Sequence, residues 1–115
     1  MITTVSNNNL FDVSGKVAIV TGGSRGIGEM IASGFLANGV KVYITARKEE
    51  PLLKKAEELS SRYGCECIPL ACDLSTMDGM DSLTKFIASK ENHIDFLINN
   101  AGASWGEPYT DYSEK

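Results

Sequence analysis

The chain has 115 residues, of which 43% are hydrophobic and 23% charged, with 11 Gly and 3 Pro. This composition is typical of one packed globular domain and excludes a disordered or fibrous chain. With 11 basic and 15 acidic residues the net charge is −4, which excludes the clustered basic surface that non-specific binding to nucleic acid requires.

The sequence carries no signal for export or for a membrane. Its first sixteen residues lack the basic and apolar segments of a signal peptide, and no later stretch approaches the ~20 apolar residues of a membrane span.

The three cysteines, Cys65, Cys67 and Cys72, are odd in number, which argues against a disulfide framework and favours buried thiols. They lack a fourth donor, and His93 has no companion ligands, so we expect no metal site. We expect a cytoplasmic protein that binds neither nucleic acid nor membrane.

A strand and a helix open the organised part of the chain. Residues 16–21 (KVAIVT) form a β-branched apolar run that is too short for a helix and is followed by glycines, which predicts a buried strand. From Gly26 the apolar residues recur at intervals of three and four, which predicts a helix that ends near Asn38 and Gly39. The residues expected on its buried stripe are Ile27, Met30, Ile31 and Phe35.

The alternation of strand and helix then continues. Residues 40–46 (VKVYITA) predict a second strand, and a second helix opens with Pro51 and closes near Gly64. Residues 65–72 predict a third strand, which Pro69 weakens or moves to a sheet edge because proline cannot donate a ladder hydrogen bond. The apolar stripe of the second helix is Leu52, Leu53, Ala56 and Leu59.

A third helix over residues 78–90 and a fourth strand over residues 94–99 complete the pattern. The apolar residues on one face of this helix are Met80, Leu83, Phe86 and Ile87. The order βαβαβαβ predicts an α/β fold with a doubly wound parallel sheet, because parallel strands need helical crossovers. The expected spatial order of the strands is 3-2-1-4.

Residues 21–28 (TGGSRGIG) lie where the first strand becomes the first helix. Free backbone N–H groups and the positive end of the helix converge there, which suits a pyrophosphate. Glycine is needed for the tight turn, for close approach of the anion and for packing of the helix against the sheet, tasks that we assign in turn to Gly22, Gly26 and Gly28. A glycine-rich turn that binds no ligand is the alternative.

The spacing TGxxxGxG lacks the Lys-[Ser/Thr] ending of a P-loop, and it resembles the cofactor turn of classical short-chain dehydrogenases/reductases. A second match, NNAG from Asn99 to Gly102, follows the fourth strand, where that family has the same segment. The opening GKVAIVTGGSRGIG is most similar to 3-oxoacyl-thioester reductases, including the rhamnolipid-biosynthesis type. The resemblance runs from about Phe11 to Gly102. It implies that residues 1–115 are a partial NAD(P)-binding Rossmann domain, truncated before the catalytic segment.

The resemblance also implies a cofactor and the residues that bind it. Asp73 matches the acidic residue that accepts a hydrogen bond from the adenine amino group, the alternative being a charge or cap at a helix N-terminus. The second strand ends in Arg47 rather than an acidic residue, and with Arg25 this favours NADP(H) over NAD(H). The alternatives are a ribose contact from Glu49 or Glu50, and Arg47 as a solvated surface charge. The predicted cofactor-binding residues are Gly22, Ser24, Arg25, Gly26, Ile27, Gly28, Arg47, Asp73, Leu74, Asn99, Ala101 and Gly102.

Proton transfer in the resembled family needs a Tyr-x-x-x-Lys pair and a Ser, and no such pair occurs here. Tyr112 and Lys115 are three apart rather than four, so no catalytic residue is predicted and the chain alone is expected to be inactive. Ser104, Trp105 and Glu107 line a substrate mouth or form an ordinary loop.

The resemblance implies an NADPH-dependent oxidoreductase of carbonyl or alcohol substrates, with 3-oxoacyl thioesters as one candidate class, that forms a homo-oligomer at full length. The alternatives are a catalytically inert dinucleotide-binding or regulatory module and, more remotely, a methyltransferase. The fourth strand would leave the apolar residues 96–98 at an unpaired edge, which lowers stability or promotes aggregation.

Overall fold

The structure is a computed structural model, and it describes residues 13–100. All seven predicted elements are present, and their boundaries lie within about two residues of those expected. In chain order they are β1 (Val17–Thr21), α1 (Gly26–Ala37), β2 (Lys41–Ala46), α2 (Glu49–Tyr63), β3 (Cys67–Ala71), α3 (Met77–Lys90) and β4 (Phe96–Asn99).

The four strands form one parallel sheet in the order β3-β2-β1-β4, which confirms the predicted topology. Thr21 pairs in register with Thr45 of β2 and with Asn99 of β4. Pro69 lies in β3 at one edge of the sheet, where its missing N–H costs no ladder bond on the outer side. Because the strands are parallel, their four carboxyl ends lie side by side. We call this end of the sheet its carboxyl edge, and the opposite end its amino edge.

Helices cover both faces of the sheet, as expected for a doubly wound fold. On one face, Ala18 and Val20 of β1 pack with buried residues of α1 and α2, including Leu36 and Leu52. On the other face, Val17, Ile19 and Tyr43 pack with Leu83 and Ile87 of α3. Alternate residues of β1 therefore serve two cores, and every residue of this strand is buried.

The predicted buried stripe of α1 is partly wrong. Ile27 and Met30 have 66% and 72% of their surface exposed, and the buried residues of the helix are Gly28, Ala32 and Leu36. Gly28 and Ala32 are buried in the first part of α1, where a Cβ on Gly28 would meet Gly22 O, and the larger Leu36 is buried in the last turn. Of the predicted stripe, only Ile31 and Phe35 pack against the core, and they do so partly.

Two further apolar residues also lie outside their predicted cores. Leu53 of α2 and Met80 of α3 are exposed, whereas the other members of both predicted stripes pack in the two clusters. The helix α2 begins at Glu49, two residues before Pro51, because proline is accepted in a first turn whose N–H groups have no helical partner. Its C-cap is Gly64 with φ +63°, as the sequence predicts.

All three cysteines are free thiols. Cys67 lies in the first core cluster, and burial raises the pKa of its thiol to about 12. Cys65 Sγ donates a weak hydrogen bond to Val40 O at 3.3 Å. Burial also raises the pKa of Cys72, so Cys67 and Cys72 serve as small core side chains rather than as reactive thiolates.

Residues 13–100 contain neither a membrane-spanning helix nor a cluster of metal ligands. None of the helices in this range combines the length and the apolar character that crossing a membrane requires. In the same range, no three His, Cys, Asp or Glu side chains are grouped so that they could hold a metal ion.

A buried polar network joins the end of α3 to β2 at the amino end of the sheet. The fully buried Tyr43 donates its hydroxyl to Glu91 Oε2 at 2.6 Å, and Lys41 Nζ donates to the same oxygen at 2.7 Å. The bond from Lys41, followed by the bond from Tyr43, holds the pKa of Glu91 below its ordinary value. Burial, with a smaller effect of Glu91, raises the pKa of Tyr43.

We predict that Glu91→Gln lowers the free energy of unfolding by about 1–3 kcal/mol at pH 7, because two hydrogen bonds to a carboxylate are weakened. The folded-state pKa of Glu91 lies below its ordinary value of 4.5. The stabilisation is therefore present above pH 4.5 and is lost as pH falls through the folded-state pKa. Chemical denaturation at pH 7 and pH 3.5 should show the difference between the wild type and the variant narrowing at the lower pH.

The control for this experiment is Glu57→Gln, at an exposed position of α2. It removes the same charge and should change the unfolding free energy by less than about 0.5 kcal/mol. A Glu91→Gln penalty that stays the same at both pH values would contradict the prediction.

Candidate cofactor-binding site

The turn between β1 and α1 needs glycine at two positions because of its backbone conformation. Gly22 has φ +69° and Gly26 has φ +63°, both in the left-handed region. Gly22 N donates to Thr45 O at 2.9 Å, which holds the start of the turn against β2. A Cβ added to Gly26 would meet no atom of the described residues within 4 Å, so among residues 13–100 this side of the turn is open to an approaching ligand.

Two other glycines of the turn are needed because of space. A Cβ on Gly28 would lie 2.1 Å from Gly22 O and 2.7 Å from Asn100 Nδ2. The helix therefore begins directly against the turn and against Asn100, which follows β4. Gly23 was not assigned a task from the sequence, yet its Cβ would lie 2.5 Å from Ile44 Cγ2. The only sequence signal for Gly23 is its place within the glycine-rich motif.

The N–H groups in the first turn of α1 point out of the N-terminal end of the helix, and no side chain caps them. Arg25 is the N-cap residue with extended backbone, and its side chain makes no capping hydrogen bond. The first intrahelical bond runs from Glu29 N to Arg25 O at 3.3 Å. The N–H groups of Gly26, Ile27 and Gly28 therefore precede the helical ladder and, with the helix dipole, form an anion-binding end.

The ends of β1 and β4 are joined through the buried hydroxyl of Thr21. Its Oγ1 accepts a hydrogen bond from Asn100 N at 2.7 Å. The same oxygen lies 3.1 Å from Asn99 Oδ1 and 3.3 Å from Ile98 O, the two acceptors available to its proton. The only sequence signal for this contact of Thr21 is its place at the start of the TGxxxGxG motif. Thr21 holds the predicted site residue Asn99 beside the glycine turn.

Asp73 lies in a tight turn between β3 and α3. Ser75 donates to Asp73 Oδ1 twice, from its N at 3.0 Å and from its Oγ at 2.6 Å. These two bonds, with a smaller effect of Arg47, hold the pKa of Asp73 below its ordinary value. The cap of α3 is Thr76, whose Oγ1 accepts from Gly79 N at 2.9 Å, so the alternative that Asp73 is the helix cap is wrong.

The carboxyl edge of the sheet brings most of the predicted residues together. The glycine turn follows β1, Arg47 follows β2, Asp73 follows β3 within two residues, and Asn99 ends β4. The side chain of Leu74 packs partly against the second core cluster, which leaves its backbone as the part that could face a ligand. The remaining predicted residues lie outside the described range, and they are Ala101, Gly102, Ser104, Trp105, Glu107, Tyr112 and Lys115.

We predict that Thr21→Val lowers the free energy of unfolding by about 1–3 kcal/mol, because it leaves the N–H of Asn100 without its acceptor. The matched control is Thr45→Val, at the residue paired with Thr21 on β2. Thr45 is equally buried, and within residues 13–100 its hydroxyl has no hydrogen-bond partner. Thermal or chemical denaturation should give a clearly lower free energy of unfolding for Thr21→Val than for Thr45→Val. Equal free energies would contradict the stabilising role of the hydrogen bond between Asn100 N and Thr21 Oγ1.

The sequence and the fold match known proteins. A family model described as short chain dehydrogenase matches residues 16–115. The rhamnolipids biosynthesis 3-oxoacyl-[acyl-carrier-protein] reductase of Pseudomonas aeruginosa is 43% identical over 102 residues, which cover 89% of this chain and 39% of that protein. This chain therefore spans about two fifths of the length of that relative.

Two solved structures have the same fold over most of this chain. A Pseudomonas aeruginosa RhlG/NADP active-site complex matches with a TM-score of 0.78 and 44% identity, over 85% of this chain and 38% of that one. The L-sorbose reductase of Gluconobacter frateurii, complexed with NADPH and L-sorbose, matches with a TM-score of 0.79 and 35% identity, over 86% and 38%. On the family match, the strand order and the glycine turn, the chain belongs to the short-chain dehydrogenase family.

Proposed function

We propose that this chain is the NADP(H)-binding part of an oxidoreductase that interconverts carbonyl and hydroxyl groups of a small-molecule substrate. The observation that carries the proposal is the uncapped first turn of α1, which opens at the carboxyl edge of the sheet between Arg25 and the end of β2. The cofactor, when bound, supplies or accepts the hydride. The residues of this chain bind the cofactor and orient it.

The glycine turn fits the pyrophosphate of a dinucleotide. Its open side at Gly26 lets an anion approach the backbone, and the N–H groups of Gly26, Ile27 and Gly28 are available to donate. Ser24 adds a hydroxyl donor within the same turn. Asn99 at the end of β4 is held beside the turn by Thr21, which supports its place in the site.

Asp73 is proposed to accept a hydrogen bond from the adenine amino group. Its lowered pKa keeps the carboxylate ionised at neutral pH, so it can only accept. Both bonds from Ser75 reach Oδ1, and within residues 13–100 no hydrogen bond reaches Oδ2. That second oxygen is the acceptor available to a ligand.

Arg47 and Arg25 are proposed to bind the 2′-phosphate of NADP(H). Within residues 13–100 neither guanidinium has an ion-pair partner within 4 Å, so both charges are available. Glu49 and Glu50, the alternative ribose ligands, lie in the first turn of α2, where the helix dipole already stabilises them. The NADP and NADPH complexes among the similar structures support this choice of cofactor.

The substrate class that the relatives favour is a 3-oxoacyl thioester, since the similar Pseudomonas aeruginosa protein is a 3-oxoacyl-[acyl-carrier-protein] reductase. The printed sequence contains no Tyr-x-x-x-Lys, so we propose that these 115 residues are inactive alone. The expectations of a homo-oligomer and of a cytoplasmic location belong to the same proposal.

A second candidate is a catalytically inert dinucleotide-binding module, which the open glycine turn and the two arginines would serve equally well. NADPH oxidation with carbonyl substrates, measured on the complete protein as its gene encodes it, separates the two candidates. Turnover supports the oxidoreductase, whereas NADPH binding without turnover of any carbonyl supports the inert module. A methyltransferase would bind S-adenosylmethionine, which carries no phosphate for Arg25 and Arg47 to bind.

We predict that Arg47→Ala weakens the binding of NADPH about 10- to 100-fold and changes the binding of NADH little, because only NADPH carries the 2′-phosphate. Titration calorimetry or cofactor fluorescence on the complete protein measures both dissociation constants. Arg62→Ala removes the same charge from the last turn of α2 and serves as the control, with both affinities unchanged. Equal losses of affinity for NADPH and NADH would show that Arg47 does not bind the 2′-phosphate.

A further inference from the structure

Gly79 lies in the first turn of α3 and is buried. A Cβ added to it would lie 1.8 Å from Asp73 O, 2.5 Å from Asp73 C and 3.1 Å from Asp73 N. These atoms are backbone, so they cannot rotate away as the end of a flexible side chain can. Gly79 does not have a positive φ, and its requirement for glycine is therefore a matter of space.

Hydrogen bonds hold the Asp73 peptide in the space that Gly79 leaves. Asp73 O accepts from Thr76 N at 3.1 Å and from Thr76 Oγ1 at 3.0 Å. The same hydroxyl oxygen accepts from Gly79 N at 2.9 Å. Thr76 thus connects the Asp73 carbonyl to the Gly79 amide, and the loop closes on the helix with no side chain between them.

This arrangement determines where the Asp73 side chain can be. The two bonds from Ser75 fix the carboxylate relative to the local turn, and the contact with Gly79 fixes that turn relative to α3. α3 is in turn anchored to the sheet through Leu83 and Ile87. A side chain at position 79 would push the turn away from the helix and carry the carboxylate with it.

Gly34 of α1 differs from Gly79. It is exposed, and a Cβ there would meet no atom of residues 13–100 within 4 Å. Alanine at position 34 should therefore be accepted, and by its higher helix propensity it should stabilise α1. The chain thus contains its own control for the effect of adding one methyl group to a helical glycine.

We propose that Gly79 is a positioning residue for adenine recognition, because its missing side chain sets the position from which Asp73 meets the adenine amino group. The inference rests on the proposed function, since it assumes that a dinucleotide binds at this edge. It adds a residue that contacts no ligand itself and that acts through Asp73.

The test compares NADPH with its deamino analogue, nicotinamide hypoxanthine dinucleotide phosphate, in which a carbonyl replaces the adenine amino group. Dissociation constants are measured on the complete protein for the wild type, Gly79→Ala and Gly34→Ala. The wild type should bind NADPH about 10-fold or more tightly than the analogue, because the analogue presents an acceptor to the carboxylate. In Gly79→Ala this ratio should fall to about 1- to 3-fold, whereas Gly34→Ala should keep it.

A loss of stability alone would lower the affinity for both ligands equally and leave the ratio unchanged. Thr76→Val removes the hydroxyl that donates to Asp73 O and accepts from Gly79 N, and it provides a second variant if Gly79→Ala does not fold. It should lower the ratio as well, by a smaller factor.

The outcomes separate the inference from the proposed function. A wild type that does not bind NADPH overturns the proposed function and this inference with it. A wild type that binds both ligands equally overturns the adenine contact of Asp73, and with it the role of Gly79, but leaves the dinucleotide site. A wild type that discriminates, together with folded Gly79→Ala or Thr76→Val variants that discriminate equally well, overturns the role of Gly79 alone.

Discussion

Direct contact between backbone and backbone at the carboxyl edge of the sheet is the constraint on which the rest of this structure depends. Gly28 lets α1 begin against the carbonyl of Gly22, and Gly79 lets α3 begin against the carbonyl of Asp73. Interiors are packed too tightly to absorb an added Cβ at such points without moving a whole segment. The two contacts place the helix starts, and with them the anion-binding amides and the carboxylate.

The polar groups at the amino edge of the sheet have partners within the protein, whereas several groups at the carboxyl edge have none among the described residues. At the amino edge, Glu91 is neutralised by Lys41 and bound by Tyr43, so that its carboxylate serves the fold. At the carboxyl edge, Arg25 has no ion-pair partner within the described residues, and the first amides of α1 have no side-chain cap. Polar groups satisfied internally stabilise the fold, whereas groups left open at a rigid edge are available to a ligand.

Much of the fold could be predicted because its signals are local. The run Val17–Thr21 forms a strand since it is short, apolar and β-branched, and Gly64 ends α2 because its left-handed conformation favours glycine. The buried face of α1 could not be predicted this way. The spacing of large apolar residues predicts that Ile27 is buried, whereas the buried residues of α1 are Gly28, Ala32 and Leu36, because Gly28 packs directly against Gly22 O.

The candidate site shows the same difference between residues marked by local sequence signals and residues whose contacts depend on tertiary packing. The sequence by itself determined the glycine turn, the arginine after β2 and the acidic residue after β3, because each is marked by its position relative to a strand end. Only the tertiary structure decided the tasks of Thr21, Gly23 and Gly79. Thr21 meets the peptide of Asn100, 79 positions away in the chain, and Gly79 meets a loop that folds back on its own helix. Such contacts depend on how distant segments pack, and no local pattern of residue types records that packing.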